Sequence, residues 1–477
     1  MISAALRTTL ALLAVLALAT GCGSILWEQP KRPNIILVLT DDLDVGSIAH
    51  MSRLQKYMGD EGTTFEAFFV TTPVCCPSRT TILTGQYAHN HEIFRNSPPE
   101  GGFKKFHDLG RESSTIATWL DNAGYRTLLA GKYLNGYCES AAGCEDPRYV
   151  PPGWDEWYAH IGKGNWNDNG EIVNERGTNQ DDLVSGYATR FVESTENSDD
   201  PFFAYLATNA PHPPAKPPAR YEDSFEGVKA PRTPSFNEQD VRDKPRAVRN
   251  LPPLSQRKID ALDARYRQSL QSMAAVNDML EDLVAALRKA GKLENTYIFF
   301  ASDNGYLMGQ HRIQKGKNVV YEESIKVPLV VRGPGVPAGG QHSEMVLNND
   351  LAPTFADLAG VKPPDSVDGR SFAPLLDGDR SNDPWRSASE VQSWKKGGDS
   401  EGKPNYRAVR TPESLYVEYS SGERELYDLN KDPYQLESVQ DDPAYADEKA
   451  SLRSQLDALK DCAGQECREA ENASPGQ

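Results

Sequence analysis

Four short apolar runs, each followed by polar residues, constrain this chain more than any other feature. Residues 34–39 lead into Thr40, Asp41 and Asp42, and residues 125–130 into Gly131 and Lys132. Residues 202–207 end shortly before His212, and residues 297–301 lead into Ser302, Asp303 and Asn304. Runs of this length without polar alternation suit strands buried on both faces, as in a parallel sheet covered by helices. Open sheets of that kind bind ligands beyond the carboxyl ends of their strands. The four polar groups are therefore expected at one shared site. Residues 327–331 read as a further strand.

Helical patterns lie between the runs. Leu262, Tyr266, Leu270, Met273, Val276, Leu280 and Leu287 fall on one broad face over residues 258–290, and Gly291 stops the pattern. Residues 114–123 predict a shorter amphipathic helix, capped by Ser113 or Ser114. Residues 213–253, rich in proline and charge, predict a long irregular segment over one face, and loops of that size are usually functional. From about Pro384 the chain alternates over 406–410, 414–419 and 425–429, which suits a small antiparallel sheet, and 444–459 reads as a closing helix. The expectation is an α/β fold: a large, mostly parallel sheet sandwiched by helices, with a smaller C-terminal antiparallel sheet plus helix. Residues 34–375 would be the catalytic domain, 376–460 the C-terminal subdomain, and 461–477 a tail, disordered past Cys467.

Across 477 residues, 68 acidic and 51 basic side chains leave a net charge of −17. That balance argues against nucleic acid as a partner, because phosphate binding needs clustered Lys and Arg. An anionic substrate must then be met by local positive charge. At the N-terminus, Arg7 precedes an apolar run over 10–19 that is too short to span a bilayer and fits a secretory signal. Thr20, Gly21 and Cys22 resemble a bacterial lipoprotein box, which implies a signal peptide over 1–22, lipid on Cys22 and a tether over 23–33. The protein is expected outside the cytoplasm, anchored to the bacterial cell membrane through Cys22, or secreted if Cys22 is not lipidated. Cys138 with Cys144, and Cys462 with Cys467, are spaced to close short loops in an oxidising compartment, leaving the adjacent Cys75 and Cys76.

The chemistry concentrates at Cys75-Cys76-Pro77-Ser78-Arg79, with Thr80-Thr81-Ile82-Leu83-Thr84-Gly85 behind it. A proline at the first helical position would put Cys75 at the positive end of a helix with Arg79 one turn later. Such a setting favours an anionic nucleophile or ligand. Asp41-Asp42 and Asp303-Asn304, at strand ends, offer hard oxygen ligands suited to calcium or magnesium rather than zinc.

The run from Pro73 to Gly85 resembles the signature of the formylglycine-dependent sulfatase family, within the alkaline-phosphatase-like superfamily. The resemblance implies that a formylglycine-generating enzyme, reading Pro77 and Arg79, oxidises Cys75 to formylglycine. It also implies one cation, usually calcium in the family, with magnesium as the alternative, held by Asp41, Asp42, Cys75, Asp303 and Asn304. Gly131-Lys132 matches the family lysine that contacts formylglycine and sulfate, and Gly316-Lys317, with Lys315 nearby, resembles its sulfate-binding lysine. Pro211-His212-Pro213 matches a histidine that donates to sulfate or protonates the leaving oxygen, with His311 ranked below it. His89 and His91 are expected at the pocket mouth, facing opposite ways if they lie on a strand. Asn135 is placed with these substrate contacts. Leu134 stands where several arylsulfatases carry a histidine, so the base that regenerates the aldehyde is left open.

With Tyr87-Ala88-His89-Asn90-His91, these motifs look most like the N-acetylglucosamine-6-sulfatase and extracellular glucosamine sulfatase branch. The resemblance implies a hydrolase of sulfuric esters acting on a sulfated carbohydrate or aryl sulfate. Two alternatives remain: a phosphonate monoester or phosphodiester hydrolase on the same site, and a non-catalytic, lipid-anchored carbohydrate-binding protein.

Overall fold

The computed structural model describes residues 31–138, 144, 146–378, 385–393 and 405–472. The signal segment, Cys22 and most of the 23–33 tether lie outside these residues. Ten strands form one sheet: β1 (Asn34–Asp41), β2 (Thr63–Phe65), β3 (Arg126–Gly131), β4 (Glu156–His160), β5 (Asn165–Asp168), β6 (Glu171–Asn174), β7 (Phe202–Pro211), β8 (Thr296–Ser302), β9 (Leu329–Arg332) and β10 (Gly340–His342). Their order is β10-β2-β9-β8-β1-β7-β3-β4-β5-β6. The centre, β8-β1-β7-β3-β4, is parallel throughout. The chain leaving β8 stays at that strand's carboxyl edge and re-enters the sheet there, so β9 runs antiparallel to β8. β5 and β6 are likewise antiparallel additions, at the edge of a mixed sheet whose centre is the expected parallel one.

Every residue of β1 is buried. Ile35, Leu37 and Leu39 join one core with Ile82, Leu83 and Phe355. Ile36 and Val38 join the other with Val184, Leu280 and Leu283. Full burial of each such side chain contributes about 1.5–3 kcal/mol, so a strand covered on both sides gains from being apolar at every position. The first core is closed by α1 (Cys75–Thr84), α2 (Ile116–Asn122) and a helix over Leu351–Leu358, and the second by α3 (Gln180–Ser194) and α4 (Gln256–Lys289). α2 is capped by Thr115 rather than by Ser113 or Ser114. Thr115 and Thr118 exchange side-chain-to-backbone hydrogen bonds in a capping box. No helix among the described residues is long and apolar enough to cross a membrane.

The C-terminal sheet has four antiparallel strands, Ser389–Ser393, Tyr406–Arg410, Ser414–Tyr419 and Arg424–Asp428. The helix Ala446–Leu459 packs Leu452, Leu456 and Leu459 onto Val409, Tyr416 and Leu426. The expected disordered tail is instead a helix over Gln465–Asn472, tied by the Cys462–Cys467 disulfide. Its anchor is Glu471, fully buried, which accepts hydrogen bonds from Tyr87, Arg370 and Arg386 at 2.6, 2.7 and 2.9 Å. Cys138 and Cys144 also form a disulfide.

Candidate active site

Parallel pairing of β8, β1, β7 and β3 brings their carboxyl ends to one edge, and the polar residues beyond them converge there. α1 begins at Cys75, so Pro77 lies at its third position rather than its first, and Cys75 and Arg79 both end up fully buried. The Cys75 thiol donates to Asp41 Oδ1 at 3.2 Å and receives Lys317 Nζ at 2.7 Å. Lys132 Nζ bonds Asp41 Oδ2, and Lys317 Nζ bonds Asp42 Oδ1. Arg79 reaches between two strand ends, donating from Nε to Asp303 Oδ2 at 2.8 Å and from Nη1 to the Lys132 carbonyl at 2.7 Å. His212 is partly exposed, with Nε2 3.8 Å from Asp42 Oδ2.

Local backbone explains these placements. Gly131 turns the chain out of β3 at φ +112, where a Cβ would lie 1.9 Å from the Ala207 carbonyl oxygen, so only glycine delivers Lys132 this close to β7. Lys317 is carried by a loop pinned through Asn318 N to the Pro73 carbonyl and Leu307 N to the Gly316 carbonyl, at 3.0 and 2.8 Å. Asp181, at the start of α3, accepts from the backbone N–H of Asn209 and Ala210 at 2.8 and 3.4 Å and so holds the turn before His212. Sequence reasoning missed Asp181, whose contacts join positions 28 and 29 residues apart.

The electrostatics follow from burial among opposed charges. Burial, then the Asp41 carboxylate, pushes the Cys75 thiol up to about 12, against the pull of Lys132 and Lys317. Burial thus opposes the thiolate that the helix start and the two lysines favour. Burial acts to raise Asp41 as well, but Lys132, His212, Arg79 and Lys317 together hold it far below the usual carboxylate range. Burial opposes the charge on Lys317, yet Asp42, Cys75 and Asp41 raise it well above its ordinary value.

The donor set fits a hard divalent cation. Ligand atoms of Asp41, Asp42, Cys75 and His212 all lie within 4.8 Å of one another. Asp42 Oδ2 and Asn304 Oδ1 are buried oxygens without a hydrogen-bond partner, the condition in which a carboxylate and an amide oxygen accept a metal. Asp303 adjoins this group through Oδ1, which accepts from Asp42 N at 3.2 Å, and Asn304 Nδ2 bonds Asp42 Oδ1 at 2.6 Å.

Of four other candidates, the three histidines are not brought to the site. His89 and His91 lie on a short helix, Ala88–His91, not on a strand. His91 is fully buried, with Nε2 3.0 Å from Thr81 Oγ1 and Nδ1 accepting from Ile93 N at 3.0 Å. His89 stacks on Tyr87 and bonds Glu390 and the Cys462 carbonyl, both at 3.0 Å, which joins it to the C-terminal sheet. His311 is fully buried against Tyr321 and holds Glu238 at 2.6 Å, so it stabilises a loop rather than facing a leaving group. Asn135 accepts from Phe103 N through its backbone at 2.8 Å, and its buried Oδ1 has no hydrogen-bond partner.

Asp181 makes a measurable pH prediction. Burial pushes its carboxyl up to about 6 from 3.8. The folded state thus holds this proton more tightly than the unfolded chain, and that support is complete below pH 3.8 and lost as pH rises to about 6. Asp181→Asn keeps an acceptor but cannot ionise. Relative to the parent, it should gain up to roughly 3 kcal/mol in urea unfolding between pH 4 and 7. A pH-independent difference would show that this carboxyl does not titrate there.

Comparison with known proteins agrees with this geometry. The sulfatase family model matches residues 33–361, and a model described as N-sulphoglucosamine sulphohydrolase, C-terminal, matches 309–462. N-acetylglucosamine-6-sulfatase from Capra hircus is 34% identical over 94% of this chain and 86% of its own length. The Homo sapiens protein of that name is 33% identical over 94% and 88%. A solved structure in complex with its substrate D-glucosamine-2-N,6-O-disulfate superposes with a TM-score of 0.76 at 22% identity, covering 93% of this chain and 99% of that one. The phosphonate monoester hydrolase of Agrobacterium radiobacter shares the fold at a TM-score of 0.67 and 22% identity, covering 89% and 96%. With a family model spanning most of the chain and relatives matching nearly its full length, the chain belongs to the sulfatase family and is a sulfuric ester hydrolase.

Proposed function

We propose that this enzyme removes the 6-sulfate from an N-acetylglucosamine-type sugar, using formylglycine formed at Cys75 and one calcium ion, and that it acts outside the cytoplasm, anchored through lipid on Cys22. The observation that carries the mechanism is the convergence of Asp41, Asp42, Cys75 and His212 within 4.8 Å, beside two partly buried lysine ammonium groups. The choice of sugar is supported by the names of the relatives at 33–34% identity.

Asp41, Asp42, Asp303 and Asn304 would hold calcium, which would supply Lewis-acid stabilisation of negative charge at the site. As its hydrate, the formylglycine aldehyde supplies one nucleophilic hydroxyl and a second that allows return to the aldehyde. The chain's own residues do the rest. Lys317 and Lys132 place two ammonium groups around position 75, where both cations meet the charge of the transferring group. Arg79 fixes the Asp303 carboxylate and the Lys132 backbone in one frame. His212, open to the cavity, is positioned to hand a proton to the departing sugar oxygen.

The test is sulfate release from N-acetylglucosamine-6-sulfate, run beside an aryl sulfate, an aryl phosphodiester and a phosphonate monoester. The expected result is a kcat/KM for the sugar sulfate at least about 100-fold above the phosphorus esters, equal to roughly 2.7 kcal/mol of transition-state discrimination. Chelation should abolish turnover and added calcium restore it. Preference for the phosphonate ester would overturn the reading in favour of the alternative hydrolase. Mass spectrometry of the native protein reads both modifications: an aldehyde in the peptide spanning Cys75, and a lipid on Cys22.

A further inference from the structure

The cavity that opens onto Lys317, Asp42 and His212 has a volume of about 580 Å³. Its wall carries four fixed cations, Arg95, Arg265, Lys315 and Lys317, against two acids, Asp42 and Glu100. In a chain of net charge −17 this is a local reversal of sign. Lys317 is engaged with Asp42 and Cys75, and Arg95 with Ser393 and Asn405. Arg265 and Lys315 differ: among the described residues neither is ion-paired with a carboxylate, and Arg265 stands beside the Tyr306 hydroxyl. Helix α4 does not lack acids, but Asp263, Asp278 and Glu281 are taken by Arg232, Arg220 and Arg53.

The same two cations line a second cavity of about 300 Å³, between Pro213–Ala215 and Gln268–Ser269 on α4. Pro213, Arg265 and Lys315 are common to both, so the second cavity continues the first away from Cys75. Arg265 and Lys315 thus stand where a substrate extends past its scissile sulfate. Cations in a concave site with no carboxylate at ion-pair distance keep much of their attraction for an incoming anion.

We propose that Arg265 and Lys315 form an anion subsite for a second negative group, sulfate or carboxylate, on the carbohydrate, which makes multiply charged sugars the preferred substrates. This rests on the proposed sugar-sulfate reading and narrows it. The second charge can come from the same sugar, as a 2-N-sulfate, or from a neighbouring uronate.

The experiment measures equilibrium binding to the calcium-loaded Cys75→Ala protein, which cannot turn over, and so stands apart from the sulfate-release assay. Three probes are compared: N-acetylglucosamine-6-sulfate, D-glucosamine-2-N,6-O-disulfate, and a disaccharide of a uronate and N-acetylglucosamine-6-sulfate. At least one doubly charged probe should bind about tenfold more tightly than the first, with a gain that shrinks as salt is raised. Arg265→Gln with Lys315→Gln should erase that gain and leave the singly charged probe within about twofold. Arg265→Lys with Lys315→Arg, which keeps both charges, should retain it. No gain in the parent, a gain that survives the glutamine pair, or equal loss for all three probes would each overturn the subsite. If it is overturned while the native enzyme still releases sulfate, only this inference fails; binding as expected without sulfate release would fail the proposed activity instead.

Discussion

Cys75→Ala is expected to lower kcat for sulfate release by on the order of 10⁵-fold or more, the scale on which removal of a nucleophile acts, while the fold stays intact. Cys75 is fully buried, and alanine removes a single sulfur atom from the first turn of α1. The stability change should therefore be about 1 kcal/mol, near that of deleting one buried methylene-sized group. Cys75→Ser separates the two halves of the chemistry. One hydroxyl permits a first attack, but without a second on the same carbon the sulfated enzyme has no internal route to release. The expected signature is a sulfate adduct at position 75, seen by intact mass, with no steady-state turnover. Protein that escapes oxidation should be as inactive as the alanine variant, because a single thiol cannot supply the two hydroxyls on one carbon that the cycle needs. Full turnover by either variant would remove Cys75 from the mechanism.

Arg386→Met should destabilise the protein by about 3–5 kcal/mol, the range for breaking a buried ion pair and leaving its partners uncompensated. Arg386, Asp350 and Glu471 are all fully buried. Arg386 donates from Nη1 and Nη2 to Asp350 at 2.5 and 2.7 Å, and from Nε to Glu471 at 2.9 Å. Asp350 precedes the helix Leu351–Leu358, whereas Glu471 lies on the last described helix. One guanidinium thus joins the catalytic core to the C-terminal end of the chain. Urea unfolding measures the effect, and a loss below about 1 kcal/mol would show that Arg370 and Tyr87 suffice to hold Glu471. Adding Glu471→Gln to Arg386→Met should recover part of the loss, since it removes one of the stranded charges.

The central strands were legible because a strand buried on both faces must be apolar at every position, and no tertiary knowledge is needed to see that. The clustering of Asp41-Asp42, Lys132, His212 and Asp303-Asn304 followed from the same pattern, once the strands were taken as parallel. The edge strands were less legible, because short antiparallel additions such as Glu171–Asn174 are largely exposed and carry no apolar run. The helix Gln465–Asn472 was missed because its composition is polar. Its anchor, Glu471, reads as a surface acid until Arg386, 85 positions away, is seen against it.

The histidines mark the boundary most clearly. His212, His311, His89 and His91 all lie near matching motifs, and sequence alone gave each a reason to face substrate. The sequence by itself pointed to the family and singled out Cys75, the acidic pairs and the two lysines as candidates, because those depend on residue type at fixed places along strand ends and the start of one helix. Only the tertiary structure decided which histidine meets the site, how deeply the Cys75 thiol is buried, and where two cations without carboxylate partners border the cavity. The physical reason is that burial, pairing and charge balance are set by neighbours distant in sequence. Thr81 and Ile93 enclose His91, Glu238 engages His311, and three acids of the helix that carries Arg265 are taken by other arginines.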